Sequence, residues 1–198
     1  MKLSTSPSLV LASSSRYRQE LLSRLKIPFT IQHPDINETA YANEAPEALA
    51  MRLAHTKAQV VANNMSQAFV IGSDQVAIVD NLQLNKPGDY QQALKQLQFI
   101  RGKTIQFHTT LCLIAPNMNT QTGHVLTKVT IAPLSDAELK QYLQIESPYD
   151  VAGGIKFESL GIALAKTIET QDPTALTGLP LIALCNMLRQ AGFPLLQN

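Results

Sequence analysis

Charge is scarce in this sequence, and neither sign dominates. Of its 198 residues only 16% are charged, and the formal net charge is +1. Such a chain has no broad basic field for nucleic acid and none for a membrane surface. Any polyanion it binds is expected to be small and held by a few placed cations. Long apolar runs are also missing. None approaches the roughly 18 residues that span a bilayer, and the run at residues 9–12 is too short for a secretory leader. Cysteine is limited to Cys112 and Cys185. They lie far apart in apolar stretches, which reads as two buried thiols in a reducing compartment. These absences predict a cytoplasmic protein. The glycine-rich phosphate loops are absent as well. Gly102-Lys103-Thr104 imitates the end of a P-loop, but Leu97 stands where the upstream glycine belongs, and a strand follows where a helix should start. There is no Gly-x-Gly-x-x-Gly and no serine-hydrolase elbow.

What is present is a core. Hydrophobic residues make up 45% of the chain, enough for one domain over residues 1–198, with room for two lobes around a central cleft. Apolar spacing predicts helices over 16–25, 46–65, 90–99, 136–145 and 180–190. Asp89 and the Ser135…Glu138 capping box mark two of their starts. Strand-like stretches fall at 9–12, 27–32, 68–79, 82–84, 104–115, 125–132 and 161–168. Helices separate many of these strands, while the middle ones read as hairpins. The expectation is an α/β fold with a mixed, twisted sheet flanked by helices.

Several polar residues sit where the pattern asks for apolar ones. With period two, Asp74 shares a strand face with Val70, Val76 and Ile78. A carboxylate there is costly unless it is paired or metal-bound. A break at Gly72-Ser73 would instead put it in a loop. Lys57 continues the helical stripe of Leu49 and Leu53; its ammonium either snorkels to water or meets an anion. Ser13-Ser14-Ser15 lead into a helix start, which attracts anions. Arg18 falls near the inward side of that same helix. Glu38 and Lys86 read by themselves as loop residues.

The ordered set of segments resembles the Maf family of nucleoside triphosphate pyrophosphatases. It comprises Leu11-Ala12-Ser13-Ser14-Ser15 with Arg18 and Glu20-Leu21-Leu22, then Pro34-Asp35-Ile36-Asn37-Glu38. Leu53-Ala54 with Lys57-Ala58, Ile71-Gly72-Ser73-Asp74 and Lys86-Pro87 follow. Gly102-Lys103-Thr104, Ala152-Gly153 and Gly178-Leu179-Pro180-Leu181 complete it. The resemblance implies a Maf-type fold with a cleft for a nucleoside triphosphate, often as a homodimer. It implies a divalent cation, Mg²⁺ or Mn²⁺. Asp74 matches the family's proton acceptor, and Ser13, Arg18, Glu38, Lys57 and Lys86 match its polar site positions. Oxygen-rich ligation of a hard cation fits Glu38 with Asp74, so Asp74 stands as base, as metal ligand, or as both.

Gln75 within Ser73-Asp74-Gln75-Val76 and Glu158 within Lys156-Phe157-Glu158 resemble the branch that cleaves 7-methyl-GTP to 7-methyl-GMP, as does Asp172-Pro173, and Tyr17 stands where the dTTP/UTP branch usually carries arginine. The 7-methylguanine base is cationic, so Glu158 could pair with it and Tyr17 could stack on it. Arg16 departs from the family's usual proline, Asn37 from its aspartate and Tyr17 from the branch's tryptophan. Two other readings stay open: a dTTP/UTP-type pyrophosphatase of the same family, and a non-catalytic nucleotide-binding regulator of septum formation.

Overall fold

A computed structural model describes residues 7–196. The elements in chain order are β1 (Ser8–Ala12), α1 (Arg16–Ser23), β2 (Thr30–Gln32), α2 (Pro46–Ala62), β3 (Ala68–Val79) and β4 (Leu82–Leu84). They continue with α3 (Tyr90–Ile100), β5 (Thr104–Ile114), β6 (Thr120–Ile131), α4 (Asp136–Glu146), β7 (Ala165–Glu169) and α5 (Leu181–Gln190). The seven strands form one sheet in the order β2-β1-β3-β5-β6-β7, with β4 paired to β3. β1 is parallel to β2 and β3, whereas the β3–β4 and β6–β7 pairs are antiparallel. The expected mixed α/β sheet is therefore present.

The chain divides into two compact units, and β3, β5 and β6 contribute to both. The described residues of the first unit are 7–75, 109–125 and 172–196. Its core shows the period-two alternation of a strand covered on both faces. Leu9 and Leu11 of β1 point with Phe69 and Ile71 of β3 into a cluster shared with α1 and α5. Val10 and Ala12 point the other way, with Val70, onto Ala54, Ala58 and Val61 of α2. The second unit comprises residues 76–108 and 126–171. There Leu97, Ile100, Ile105, Ile131, Leu139 and Leu143 are fully buried.

Gly72 lies inside β3, with no break in the strand. A Cβ at this position would run into the Ala54 carbonyl oxygen and lie 2.8 Å from the Ala58 nitrogen. The glycine lets α2 approach the strand backbone closely, which brings a residue one turn along α2 over the next inward position of β3. Asp74 therefore stands on an unbroken strand, and the loop alternative falls.

Four boundaries lie three or more residues from expectation, and one of them is the end of α2, at Ala62 rather than residue 65. The strand expected at 161–168 begins only at Ala165, because Leu160–Leu164 form 3₁₀ turns. β6 starts at Thr120, five residues earlier than its apolar alternation indicated. Residues 27–29 precede β2 without pairing, and Pro28 among them lacks the N–H a ladder requires. Cys112 is buried, and burial pushes its thiol up to about 12. Cys185, expected to be buried, is half-exposed on α5. No helix among the described residues is long and apolar enough to cross a membrane.

Candidate active site

The site is built in the first unit, on the face of β3 covered by α2. Asp74 is 8% exposed and Lys57 is 6% exposed. The Lys57 Nζ donates to Asp74 Oδ1 at 2.5 Å. Its position on the Leu49–Leu53 stripe thus delivers an ammonium to a carboxylate, and the snorkelling alternative is excluded. Neither charge could be buried alone, since an unpaired one costs several kcal/mol. Glu38 reaches the same ammonium from an exposed loop, with Oε1 2.7 Å from Nζ. One lysine therefore bridges two carboxylates, one fixed in the sheet and one on a loop.

Arg18 supplies the second cation. An Nη atom lies 4.0 Å from Asp74 Oδ1, and its Nε donates to the Gly178 carbonyl at 2.8 Å. Burial presses this guanidinium below its ordinary pKa, and the negative charges of Asp74 and Glu38 partly offset that. The four groups sum to zero formal charge, two acids against two bases. Any triphosphate arriving here must exchange with internal partners.

The loop bearing Glu38 is tied to α2 by Arg52. Its Nε and Nη2 donate to the two Glu44 oxygens at 2.7 and 2.8 Å, and Nη2 also donates to the Thr39 carbonyl at 3.0 Å. The fork holds the Glu44 carboxyl well down, to about 2. Nothing in the periodicity of the sequence marks this clasp.

The serine turn is committed to its own backbone. Ser13 Oγ accepts from the Ser15 N–H at 3.1 Å, and Ser15 caps α1 by accepting from the Arg18 N–H. Tyr17 is half-buried; its hydroxyl accepts from Arg16 at 3.0 Å, and the Arg16 guanidinium sits 4.9 Å from its ring centroid. The arginine that departs from the family's proline already makes the cation–π contact expected for a base. Gln75 Nε2 donates to Thr109 Oγ1, to the Ala175 carbonyl and to the Leu176 carbonyl at 2.9, 2.9 and 3.2 Å. It grips the turn at Pro173–Thr177.

Lys86 and Glu158 belong to the second unit. Lys86 is exposed on the segment after β4. That segment is pinned by the Gly153 N–H on the Asn85 carbonyl at 3.3 Å and by the Gly88 N–H on the Tyr149 carbonyl at 3.1 Å. Gly153 adopts φ +76, so the Ala152-Gly153 motif scaffolds the lysine loop. Glu158 is exposed on the 3₁₀-rich segment before β7, yet nearby protein desolvates its carboxyl enough to raise its pKa. Lys156 opposes that shift, and Glu146 and Asp150 reinforce it. Lys103, the mimic of a P-loop lysine, is spent on Asp80 at 2.9 Å and lies over the Phe99 ring.

The structure gathers Asp74, Lys57, Glu38 and Arg18, four of the positions singled out by the family resemblance, on one α/β sheet. A family model described as "Maf-like protein" matches residues 8–191. The chain belongs to the Maf family. Among its curated relatives, one from Cupriavidus metallidurans is 52% identical over 195 residues, covering 98% of each chain. One from Paraburkholderia xenovorans is 53% identical, covering 98% of this chain and 97% of the relative. Both are named 7-methyl-GTP pyrophosphatase. Among solved structures, a HAM1 protein from Coxiella burnetii matches with a TM-score of 0.50 at 16% identity, over 92% of this chain and 98% of that one. That likeness speaks for the fold alone.

Proposed function

We propose that this Maf protein is a cytoplasmic nucleoside triphosphate pyrophosphatase whose preferred substrate is 7-methyl-GTP. The buried Asp74–Lys57 pair, bridged onward to Glu38, is the observation that carries the reading. A carboxylate on a buried strand face that meets side-chain cations marks a candidate functional site, and relatives at 52% and 53% identity carry the activity in their names.

Water adds to a phosphorus of the α–β anhydride, that P–O bond breaks, and nucleoside monophosphate separates from pyrophosphate. Asp74 orients the water and takes its proton. Lys57 and Arg18 hold the phosphate oxygens and neutralise the charge that builds on the leaving pyrophosphate; Lys86 is assigned to phosphate by the family resemblance alone. The donor chemistry of the site fits a divalent cation, Mg²⁺ or Mn²⁺. Asp74 and Glu38 are hard oxygen ligands already gathered around one positive charge. Such an ion, held by Glu38 and Asp74, would polarise the phosphoryl oxygens. Its binding would free the Lys57 ammonium for phosphate.

Base choice rests on Glu158, Tyr17 and Gln75. Glu158 pairs with the cationic ring of 7-methylguanine, which draws its raised pKa back down. Tyr17 offers its ring face, in exchange with Arg16. Gln75 acts through the turn it grips.

Turnover of 7-methyl-GTP, GTP, dTTP and UTP with Mg²⁺ or Mn²⁺, with products separated by chromatography, tests this reading. The expected result is 7-methyl-GMP and pyrophosphate, formed fastest from 7-methyl-GTP. Glu158→Gln should lower the preference over GTP by about 10- to 100-fold, the worth of a charge-assisted hydrogen bond. The preference should also fall as pH drops through the raised range of Glu158, where its carboxylate is protonated. Equal rates on all four nucleotides would overturn the substrate assignment. Nucleotide binding without turnover would favour the regulator.

A further inference from the structure

The first unit contains a second buried aspartate, outside the reacting group. Asp172 is 2% exposed. Its Oδ1 accepts from the Thr174 N–H at 3.1 Å and from Thr174 Oγ1 at 2.7 Å. Its Oδ2 accepts from the Ile182 and Ala183 N–H groups at 2.8 and 3.2 Å. Thr174 Oγ1 in turn accepts from the Leu181 N–H at 2.7 Å. The three free N–H groups of the first turn of α5 are all taken by these two side chains, where Pro180 at the cap position offers none. The positive end of α5 is thereby neutralised from within.

This staple closes residues 172–183 into a loop, with Gly178 between its fixed ends. Gly178 adopts φ +101, which only glycine takes readily, and its carbonyl oxygen is the acceptor for Arg18 Nε at 2.8 Å. Ser73 Oγ lies 2.8 Å from the same oxygen and 2.8 Å from the Thr110 carbonyl, sharing one proton between them. The carbonyl holds the Nε of the guanidinium, while one Nη lies 4.0 Å from Asp74 Oδ1. Movement of Gly178 by an ångström would turn that Nη away.

We propose that Asp172, with Thr174, is a positioning residue of the reaction. It holds the Gly178 carbonyl where that oxygen orients Arg18 toward Asp74 and the phosphates. The proposal rests on the reading of Arg18 as a phosphate-holding group, but the orientation itself can be observed without substrate.

The test uses the full chain in two measurements. In the first, the arginine Nε–H resonances are recorded by ¹H–¹⁵N NMR, and the Arg18 signal is assigned by its loss in Arg18→Lys. In the wild type this signal should be shifted and protected from exchange. In Asp172→Asn it should move to the position of a free arginine. The Arg52 Nε–H signal, bonded to Glu44, should stay unchanged and so report an intact fold. In the second, kcat/KM for 7-methyl-GTP should fall about 10- to 100-fold in Asp172→Asn, the scale of an ångström's misplacement. In an Arg18→Lys background the same change should cost less than about twofold, because coupled residues are non-additive. Thr174→Val should behave like Asp172→Asn and Thr174→Ser like the wild type, and this pair carries both measurements if Asp172→Asn does not fold. An unmoved Arg18 signal overturns the proposal whatever the activity. A full kcat/KM loss in the Arg18→Lys background overturns it too. A wild type with no turnover would count against the proposed function, while the NMR signal still decides the positioning.

Discussion

Asp74 and Asp172 are both buried aspartates of the same unit, and they are neutralised in opposite ways. Asp74 faces side-chain cations, Lys57 at 2.5 Å and Arg18 at 4.0 Å. Asp172 accepts from main-chain N–H groups and a hydroxyl, its described bonds to them lying between 2.7 and 3.2 Å. Side-chain ammonium and guanidinium groups can turn to an incoming anion. Backbone dipoles of a helix start cannot. The first arrangement can exchange partners during a reaction, whereas the second only fixes geometry. Burial of a carboxylate is thus a weak guide to chemistry until its partners are known.

The comparison is broken most forcefully at Lys57. Lys57→Met keeps the stem and removes the ammonium, leaving the Asp74 charge buried with Arg18 as its remaining neighbour. Loss of one partner from a buried pair costs about 3–5 kcal/mol, so denaturant unfolding should show destabilisation of that size. A change below about 1 kcal/mol would mean that the Lys57 ammonium does not neutralise a buried charge, and the exchangeable-cation picture would fail.

A smaller effect sharpens the contrast from the solvent side. Glu44 is a paired acid outside the reacting group, held to about 2 by the Arg52 fork. Its folded pKa lies below the ordinary value of 4.5, so the pairing stabilises the fold above that value. The contribution is lost as pH falls from about 4.5 toward about 2. The stability difference between wild type and Glu44→Gln should therefore be modest at pH 7 and shrink across that window. A difference independent of pH would show that packing, not charge, holds the Glu38 loop.

Much of this was legible in the sequence where local rules act alone. The capping box at Ser135 and Glu138 forms as its spacing predicts, and the Asp80-Asn81 turn closes the β3–β4 hairpin with both residues at positive φ. Asp74 and Lys57 were legible because each breaks an apolar period. The clustering of Glu38 with Lys57 was not, since an exposed loop acid leaves no periodic trace; only family resemblance singled it out. Asp172 was noticed merely as part of a branch motif. Its bonds to residues ten and eleven positions later depend on how the loop returns to α5, which spacing does not encode. The 3₁₀ turns at Leu160–Leu164 were misread as strand because short apolar runs do not distinguish the two.

The central claim is that the Asp74 carboxylate does the chemistry at the Lys57 pair. Pyrophosphate release from 7-methyl-GTP by Asp74→Asn, measured beside the wild type at equal folded concentration, tests it directly. The account predicts a loss of about 10²- to 10⁴-fold, the usual contribution of a general base, with the fold retained. Pyrophosphate formed at a rate close to that of the wild type would contradict it.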